Sequence, residues 1–415
     1  MGAAVTDDCQ MNTKTLKDLP DSTLRGKRVL VRVDYNVPLD DGRVTDDTRI
    51  RATLPTLSYL LEREARVVLV SHLGRPKGQW KDEYSLEPAV QRLTELVNVP
   101  VHFVKDVVGP EAHRAADTLG AGQILILENI RFLPGEETND EELSEALAGL
   151  ADVYVNDAFG AAHRAHASTC GVAEVMREEG RPAVAGLLME RELRFLGQTL
   201  ESPERPFVAI LGGAKISGKI DVIENLLPRV ERLLIGGAMA NTFFRALGLE
   251  TGGSLVEEDR IDMARDLLER AGDKLVLPVD CVVAGQVEPG ARTWLLDRDN
   301  VPPEGKILDI GPKSVGTFGE YLHDARTVLW NGPMGMFEIA EFSHGTEGVA
   351  HAVAEATDRG ATTIIGGGDT VAAIEAAGVA DRMTHVSTGG GASLEFLEGK
   401  TLPGLAALEK KGGDR

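Results

Sequence analysis

The sequence predicts an α/β protein built on parallel sheets with helices on both faces. Two observations lead there. Short apolar runs rich in Val, Ile and Leu recur from end to end, and stretches with apolar residues at helical spacing separate them. In the first half the predicted strands are residues 28–33, 66–71, 123–127, 153–156 and 183–186. Between them, residues 47–64, 86–97 and 141–150 carry the helical pattern. The second half repeats the scheme with strands at 207–211, 233–235, 274–277, 328–330, 362–365 and 385–387. A boundary follows 188–200, a charged helical stretch ended by Glu201-Ser202-Pro203-Glu204-Arg205-Pro206, where prolines and charges stop the helix. A single barrel is the competing architecture. It is less attractive because the residues that follow the strands change character at this boundary.

Composition narrows the function. A chain of 415 residues accommodates two or three domains at about 100–200 residues each. Its 44 Lys and Arg against 65 Asp and Glu leave a net charge of −21, which argues against nucleic acid or an anionic membrane as partner. Only 14 of the 44 cations are Lys, a balance that suits a solvated acidic surface, as in a salt-adapted cytoplasm. Cys9, Cys170 and Cys281 lie far apart and form neither a disulfide framework nor a paired metal motif, so a reducing cytoplasm is expected. No apolar run reaches the roughly 18 residues of a spanning helix, and no secretory signal opens the chain. Met1-Gly2-Ala3-Ala4-Val5-Thr6 matches the short myristoylation pattern. Such a match is common by chance, and the segment reads as a loose acidic leader with Met11 a second candidate start.

Ligands of open α/β sheets bind beyond the carboxyl ends of the strands. In the first half those ends carry arginine. Residues 28–33 run into Asp34-Tyr35-Asn36-Val37-Pro38, with Arg49 following; 66–71 into His72-Leu73-Gly74-Arg75-Pro76; 123–127 into Glu128-Asn129-Ile130-Arg131; and 153–156 into a segment bearing His163, Arg164 and His166. Guanidinium forks bind carboxylate and phosphate bidentately, so converging arginines suit a small polyanion. Asp34 and Asn36 can recognise hydroxyls beside it. His163 and His166 also have metal-ligand spacing, but no Cys or acidic cluster completes a set, which favours anion binding.

In the second half the strand ends carry glycine: Gly212-Gly213-Ala214-Lys215, Gly236-Gly237-Ala238, Asn331-Gly332-Pro333-Met334-Gly335, Gly366-Gly367-Gly368-Asp369-Thr370 and Gly389-Gly390-Gly391. Glycine lets backbone N–H groups approach phosphate, and helix N-termini add a favourable dipole. Residues 213–219 nearly match a P-loop, but Ile220 stands where a magnesium-binding hydroxyl belongs, leaving Asp369 the better metal candidate. No G-x-G-x-x-G occurs at these turns, which counts against a dinucleotide dehydrogenase.

These motifs, in this order, resemble those of the phosphoglycerate kinases over essentially the whole chain. The matching stretches are 32–38, 71–76, 156–166, 211–215, 330–337, 366–370 and 387–395. The resemblance implies two Rossmann-like domains joined by a hinge: 1–190 with the returning 396–415 for 3-phosphoglycerate, and 191–395 for magnesium-nucleotide. It implies a monomeric cytoplasmic kinase of glycolysis and gluconeogenesis, passing a phosphoryl group reversibly between ATP/ADP and 3-phosphoglycerate/1,3-bisphosphoglycerate after domain closure. Carried over by motif, Asp34, Tyr35, Asn36, Arg49, His72, Leu73, Gly74, Arg75, Arg131 and Arg164 would bind the glycerate. Gly213, Lys215, Lys219, Asn331, Glu338, Gly367, Gly368, Asp369 and Thr370 would bind the nucleotide, with Asp369 on Mg2+. Arg49 and Lys215 are the expected stabilisers of the moving phosphoryl group. Tyr35 stands where Phe is usual, Ala238 where a third Gly is usual, and Leu133-Pro134 follow Arg131 where the family commonly differs. Two alternatives differ in kind. Another small-molecule kinase would need a base for its hydroxyl acceptor, and a silent nucleotide-binding regulator would need only one pocket.

Overall fold

The computed structural model describes residues 13–409, so the leader with its Met1–Thr6 pattern and Cys9 lies outside the described residues. Two compact units divide the chain. One comprises the described residues up to Arg194 together with those from Thr401, and the other is Phe195–Lys400.

The first unit holds a six-stranded parallel sheet. Its strands are β1 (Arg28–Arg32), β2 (Arg66–Val70), β3 (Val101–Val104), β4 (Ile124–Leu127), β5 (Val153–Asn156) and β6 (Ala183–Ala185), in spatial order β3-β4-β2-β1-β5-β6. Val29 pairs with Val67 and Val153, and Val31 with Leu69 and Val155. Helices cover both faces, so the central strands are buried on both sides, which is why they read as continuous apolar runs. Leu57 and Leu60 of helix α1 (Thr48–Glu62) and Leu93 of α2 (Glu87–Leu96) close one face of this core. Strand β3 was not expected. It is an edge strand, half-exposed and interrupted by His102, and so lacks the apolar signature of its neighbours. The chain returns at its end: Gly404 N donates to Ala162 O at 2.8 Å, and Arg177 Nη1 to Ala407 O at 2.9 Å.

The second unit holds another six-stranded parallel sheet and a three-stranded antiparallel sheet. The parallel strands are β7 (Phe207–Leu211), β8 (Arg232–Ile235), β9 (Leu275–Val276), β13 (Thr327–Asn331), β14 (Thr362–Gly366) and β15 (His385–Val386). Their spatial order, β9-β8-β7-β13-β14-β15, is that of doubly wound nucleotide-binding sheets, and it reverses between β7 and β13. The antiparallel sheet, β10 (Asp280–Ala284), β11 (Thr293–Asp297) and β12 (Lys306–Ile310), is an addition to the expected plan. Its outer strand β11 alternates exposed and half-buried residues, so no apolar run marks it.

Helix α3 (Leu187–Glu201) contains the division between the units. Its first turn is held by side chains of the first unit. Asp157 Oδ1 accepts from Leu188 N at 2.9 Å and Met189 N at 3.2 Å, and Thr56 Oγ1 accepts from Leu187 N at 3.0 Å. These groups satisfy amides that a helix start leaves unpaired.

Candidate functional site

In the first unit the strand-end residues form a connected set. Arg49, from the first turn of α1, donates through Nη1 to both Asp34 oxygens at 3.3 Å and to Asn36 O at 3.0 Å. Asn36 Oδ1 accepts from Gly74 N at 2.8 Å, and Gly74 O accepts from Arg131 Nη1 at 2.8 Å. Gly74 must be glycine: its φ is +62°, and a Cβ there would meet the Tyr84 ring at 2.3 Å. Burial and the neighbouring Arg32 charge hold the Arg131 guanidinium below its usual range. Arg32, Arg49 and Arg131 also act on His72, whose pKa lies well below the ordinary histidine value through burial first and these charges next. This crowding of positive charge is a standing electrostatic cost that an anion bound there would relieve.

Arg75 and Arg164 are exposed, and Arg164 Nε donates to His163 Nε2 at 3.1 Å. Two expected binding residues lie beneath the rim. The Tyr35 hydroxyl bonds Thr53 Oγ1 at 3.0 Å inside the core, and burial raises its pKa. Leu73 is likewise buried, while its carbonyl accepts from Asn129 Nδ2 at 2.7 Å.

Three residues behind the rim carry no expected role from the sequence, although Arg32 opens the matching stretch 32–38. Arg32, Glu136 and Ser168 are fully buried and bonded to one another. Arg32 ends an apolar strand and Glu136 sits in a charged stretch, so each passes for an ordinary surface charge; no local sequence signal joins them.

In the second unit the turns after β7 and β13 meet at the point where the strand order reverses. Gly212 N donates to Asn331 O and Gly213 N to Pro333 O, both at 3.0 Å. A Cβ on Gly212 would meet Pro333 O at 2.1 Å, and one on Gly332 (φ +100°) would meet Gly212 O at 2.2 Å. These two glycines therefore serve backbone packed on backbone. The buried Trp330 indole, donating to Gly332 O at 2.8 Å, and Thr370 Oγ1, accepting from Gly332 N at 2.7 Å, hold the same turn.

Two cavities open beside it. The smaller, about 330 Å³, is lined by Gly213, Lys215, Lys219, Asn331, Gly367, Gly368, Asp369 and Thr370, among others. The larger, about 720 Å³, has an apolar wall including Phe244, Leu308, Met334 and Met336, with Glu338 on its lining. They share Gly213, Ala214, Pro333 and Asp369. Leu308 comes from β12, so the unexpected sheet supplies part of the wall. Ala238 also lines the larger cavity; its φ of −65° is open to any residue, so alanine is accommodated there. Lys219 bonds Asn331 Oδ1, and burial brings its pKa down to about 8 against the pull of Glu398 and Asp369. Lys215, Glu338 and Asp369 are exposed.

Among the described residues no cluster of three or more His, Cys, Asp or Glu could hold a metal by itself. Asp369 alone still fits magnesium, which typically takes one or two carboxylates and completes its shell with phosphate and water. Burial pushes the Cys170 thiol to about 11 and the Cys281 thiol to about 12, so neither is a ready nucleophile. No described helix is long and apolar enough to cross a membrane.

Comparison with known proteins agrees with the motif order. A family model described as phosphoglycerate kinase matches residues 18–400. Phosphoglycerate kinase of Synechococcus elongatus is 55% identical over 403 residues, covering 96% of this chain and 99% of that protein. That of Rubrobacter xylanophilus is 56% identical over 401 residues, covering 97% and 99%. The solved structure of phosphoglycerate kinase from Coxiella burnetii superposes with a TM-score of 0.84 at 41% identity, covering 95% of this chain and 98% of that one. A match that runs through both units, at more than half identity to proteins of nearly equal extent, leaves one assignment: the chain belongs to the phosphoglycerate kinase family and is a phosphotransferase.

Proposed function

We propose that the chain carries out its family's reaction, reversible phosphoryl transfer between ATP and 3-phosphoglycerate, by direct in-line displacement between ligands held on separate units. The observation that carries this is the pair of adjoining cavities at the β7/β13 reversal. The smaller, lined by glycines and cations, suits phosphates; the apolar one suits a base. The second unit is thus the nucleotide domain. The first, with its arginines in excess of counter-charge, is the domain for 3-phosphoglycerate.

Lys215, Lys219 and the amides around Gly213 and Gly367–Thr370 hold the phosphates; Glu338 borders the apolar cavity. Asp369 would hold Mg2+, which supplies charge neutralisation on the nucleotide phosphates. Asp34 and Asn36 orient the glycerate, while Arg49, Arg75, Arg131, Arg164 and His72 bind its anionic groups. Phosphoryl transfer needs positioning and charge neutralisation more than a covalent nucleophile. The acceptor carboxylate is already ionised, so no general base is required. Arg49 and Lys215 then act on the charge of the moving group.

Reacting atoms must come within roughly 3–3.5 Å, so the ligand-bearing units have to meet during turnover. Helix α3 and the segment 387–395 are the hinges, and closure keeps water from a reactive acyl phosphate. The enzyme is a cytoplasmic monomer on this reading; a sedimentation mass of a dimer would correct that.

A coupled assay with ATP, Mg2+ and 3-phosphoglycerate tests the reaction. Absence of turnover in folded protein rejects it. Small-angle scattering tests closure: the radius of gyration should be smaller with both substrates than with either alone. An unchanged radius in active enzyme favours preformed adjacency.

A further inference from the structure

We propose that the buried chain Arg32–Ser168–Glu136 is the positioning element of the arginine rim, setting the tautomer of His72 and the placement of the loop that carries Arg164. Arg32 ends β1 and is wholly buried. Its Nε donates to Ser168 Oγ at 2.7 Å, its Nη1 to Val33 O at 2.5 Å, and its Nη2 approaches His72 Nδ1 at 3.0 Å. Ser168 passes the chain on: its hydroxyl donates to Glu136 Oε1 at 2.7 Å and its amide to Glu136 Oε2 at 2.9 Å. Burial raises the Glu136 carboxyl, but His166, Arg32 and Ser168 together bring it below its usual value, so it is a carboxylate 3.9 Å from Arg32.

A buried ion pair is poor value as a source of stability, since desolvation offsets most of its attraction. What this pair does supply is direction. A guanidinium can only donate, so His72 Nδ1 must accept and its proton resides on Nε2. The groups facing His72 are Arg32, Arg49, Arg131, His166 and Asp34, the last at 3.9 Å; the cations and burial keep the ring neutral. The second link runs through Ala167–Gly171, a π-helical turn, a rare geometry that favours functional sites. Its Ser168 is clamped by Glu136, and the next residue, Thr169, donates through Oγ1 to Arg164 O at 3.0 Å and accepts from His166 N at 3.2 Å. One buried carboxylate thereby anchors a rim histidine from one side and a rim arginine from the other.

The inference rests on the reading that this rim binds 3-phosphoglycerate, and its test separates the two. Nitrogen-15 NMR of the ligand-free full chain should show His72 neutral with the proton on Nε2. In Ser168→Ala, which removes the shared hydroxyl and keeps the backbone clamp, the signature should change. The KM for 3-phosphoglycerate should then rise about tenfold, the effect of one charge-assisted hydrogen bond, while kcat and the KM for ATP stay within about twofold. Arg32→Met should do the same more strongly. If that variant does not fold, Ser168→Ala decides alone. An unchanged His72 spectrum together with an unchanged KM in Ser168→Ala overturns the proposal. If the unaltered protein does not bind 3-phosphoglycerate by calorimetry, the substrate reading fails; the NMR comparison still decides whether the chain sets the rim.

Discussion

The rims of the two units are built from opposite materials. In the first, the rim is made of side chains: Arg49, Arg131 and His72 are held by Asp34, Gly74 and Arg32 above a buried polar layer. In the second, the rim is made of backbone: Gly212 and Gly332 approach so closely that neither tolerates a Cβ, and Trp330 and Thr370 brace the turn from below. A small polyanion with few features is captured by charge and fork geometry, which side chains supply. Nucleotide phosphates are met by amides at turns and helix starts, where bulk must be absent. Loss of a rim side chain should accordingly act on ligand binding in the first unit, and loss of a rim glycine on folding in the second.

The largest expected effect concerns the moving charge of the proposed reaction. Lys215→Ala should lower kcat by roughly 10²-fold or more with a smaller change in nucleotide binding, as for groups that act mainly in the transition state. A rise in KM for ATP alone would make Lys215 an ordinary binding residue. Next, Arg131→Ala should weaken 3-phosphoglycerate binding by about 1.5–3 kcal/mol and leave the melting temperature nearly unchanged. Calorimetry with scanning of the same sample checks both. Gly332→Ala should show the reverse. Its φ of +100° and the 2.2 Å approach to Gly212 O make a side chain strained, and about 1–3 kcal/mol of stability should be lost in denaturant titration. Equal melting temperatures for Gly332→Ala and the parent would break the comparison.

A smaller effect follows from Lys219. With its pKa brought down to about 8, the ammonium loses its charge as pH rises through that value. Bound phosphate raises the pKa again, so KM for ATP should climb several-fold above about pH 8. Lys219→Arg, which cannot deprotonate in this range, should give a flat profile if the geometry is kept. The smallest effect concerns neither rim. With 65 acidic against 44 basic residues, self-repulsion is screened by salt. The melting temperature should rise between 0.1 M and 1 M, as the screening length falls from about 10 Å to about 3 Å; a flat or falling curve counts against it.

The strands buried on both faces were legible because burial on both sides leaves an unbroken apolar run; β5 and β7 match the expected bounds at both ends. Edge strand β3 and strand β11 were not, since exposure mixes polar residues into them and the apolar run disappears; β10 is buried throughout, and its short run Cys281–Ala284 went unassigned. The rims were visible as residue types at strand ends. Their division of labour was not: Tyr35 reads as a rim residue by position, but its hydroxyl bonds Thr53 in the core.

Sequence alone therefore determined the alternation of strands and helices, the families of residues at each strand end, and the phosphotransferase chemistry they imply. These depend on local pattern and on spacing along one segment. Tertiary structure alone decided that Gly212 and Gly332 serve each other before any ligand, that β12 walls the larger cavity, and that Arg32, Ser168 and Glu136 lie bonded beneath the arginines. Each of those is a contact between residues more than 25 positions apart, and polar groups can meet in a core only where the packing of separate elements brings their donors and acceptors together.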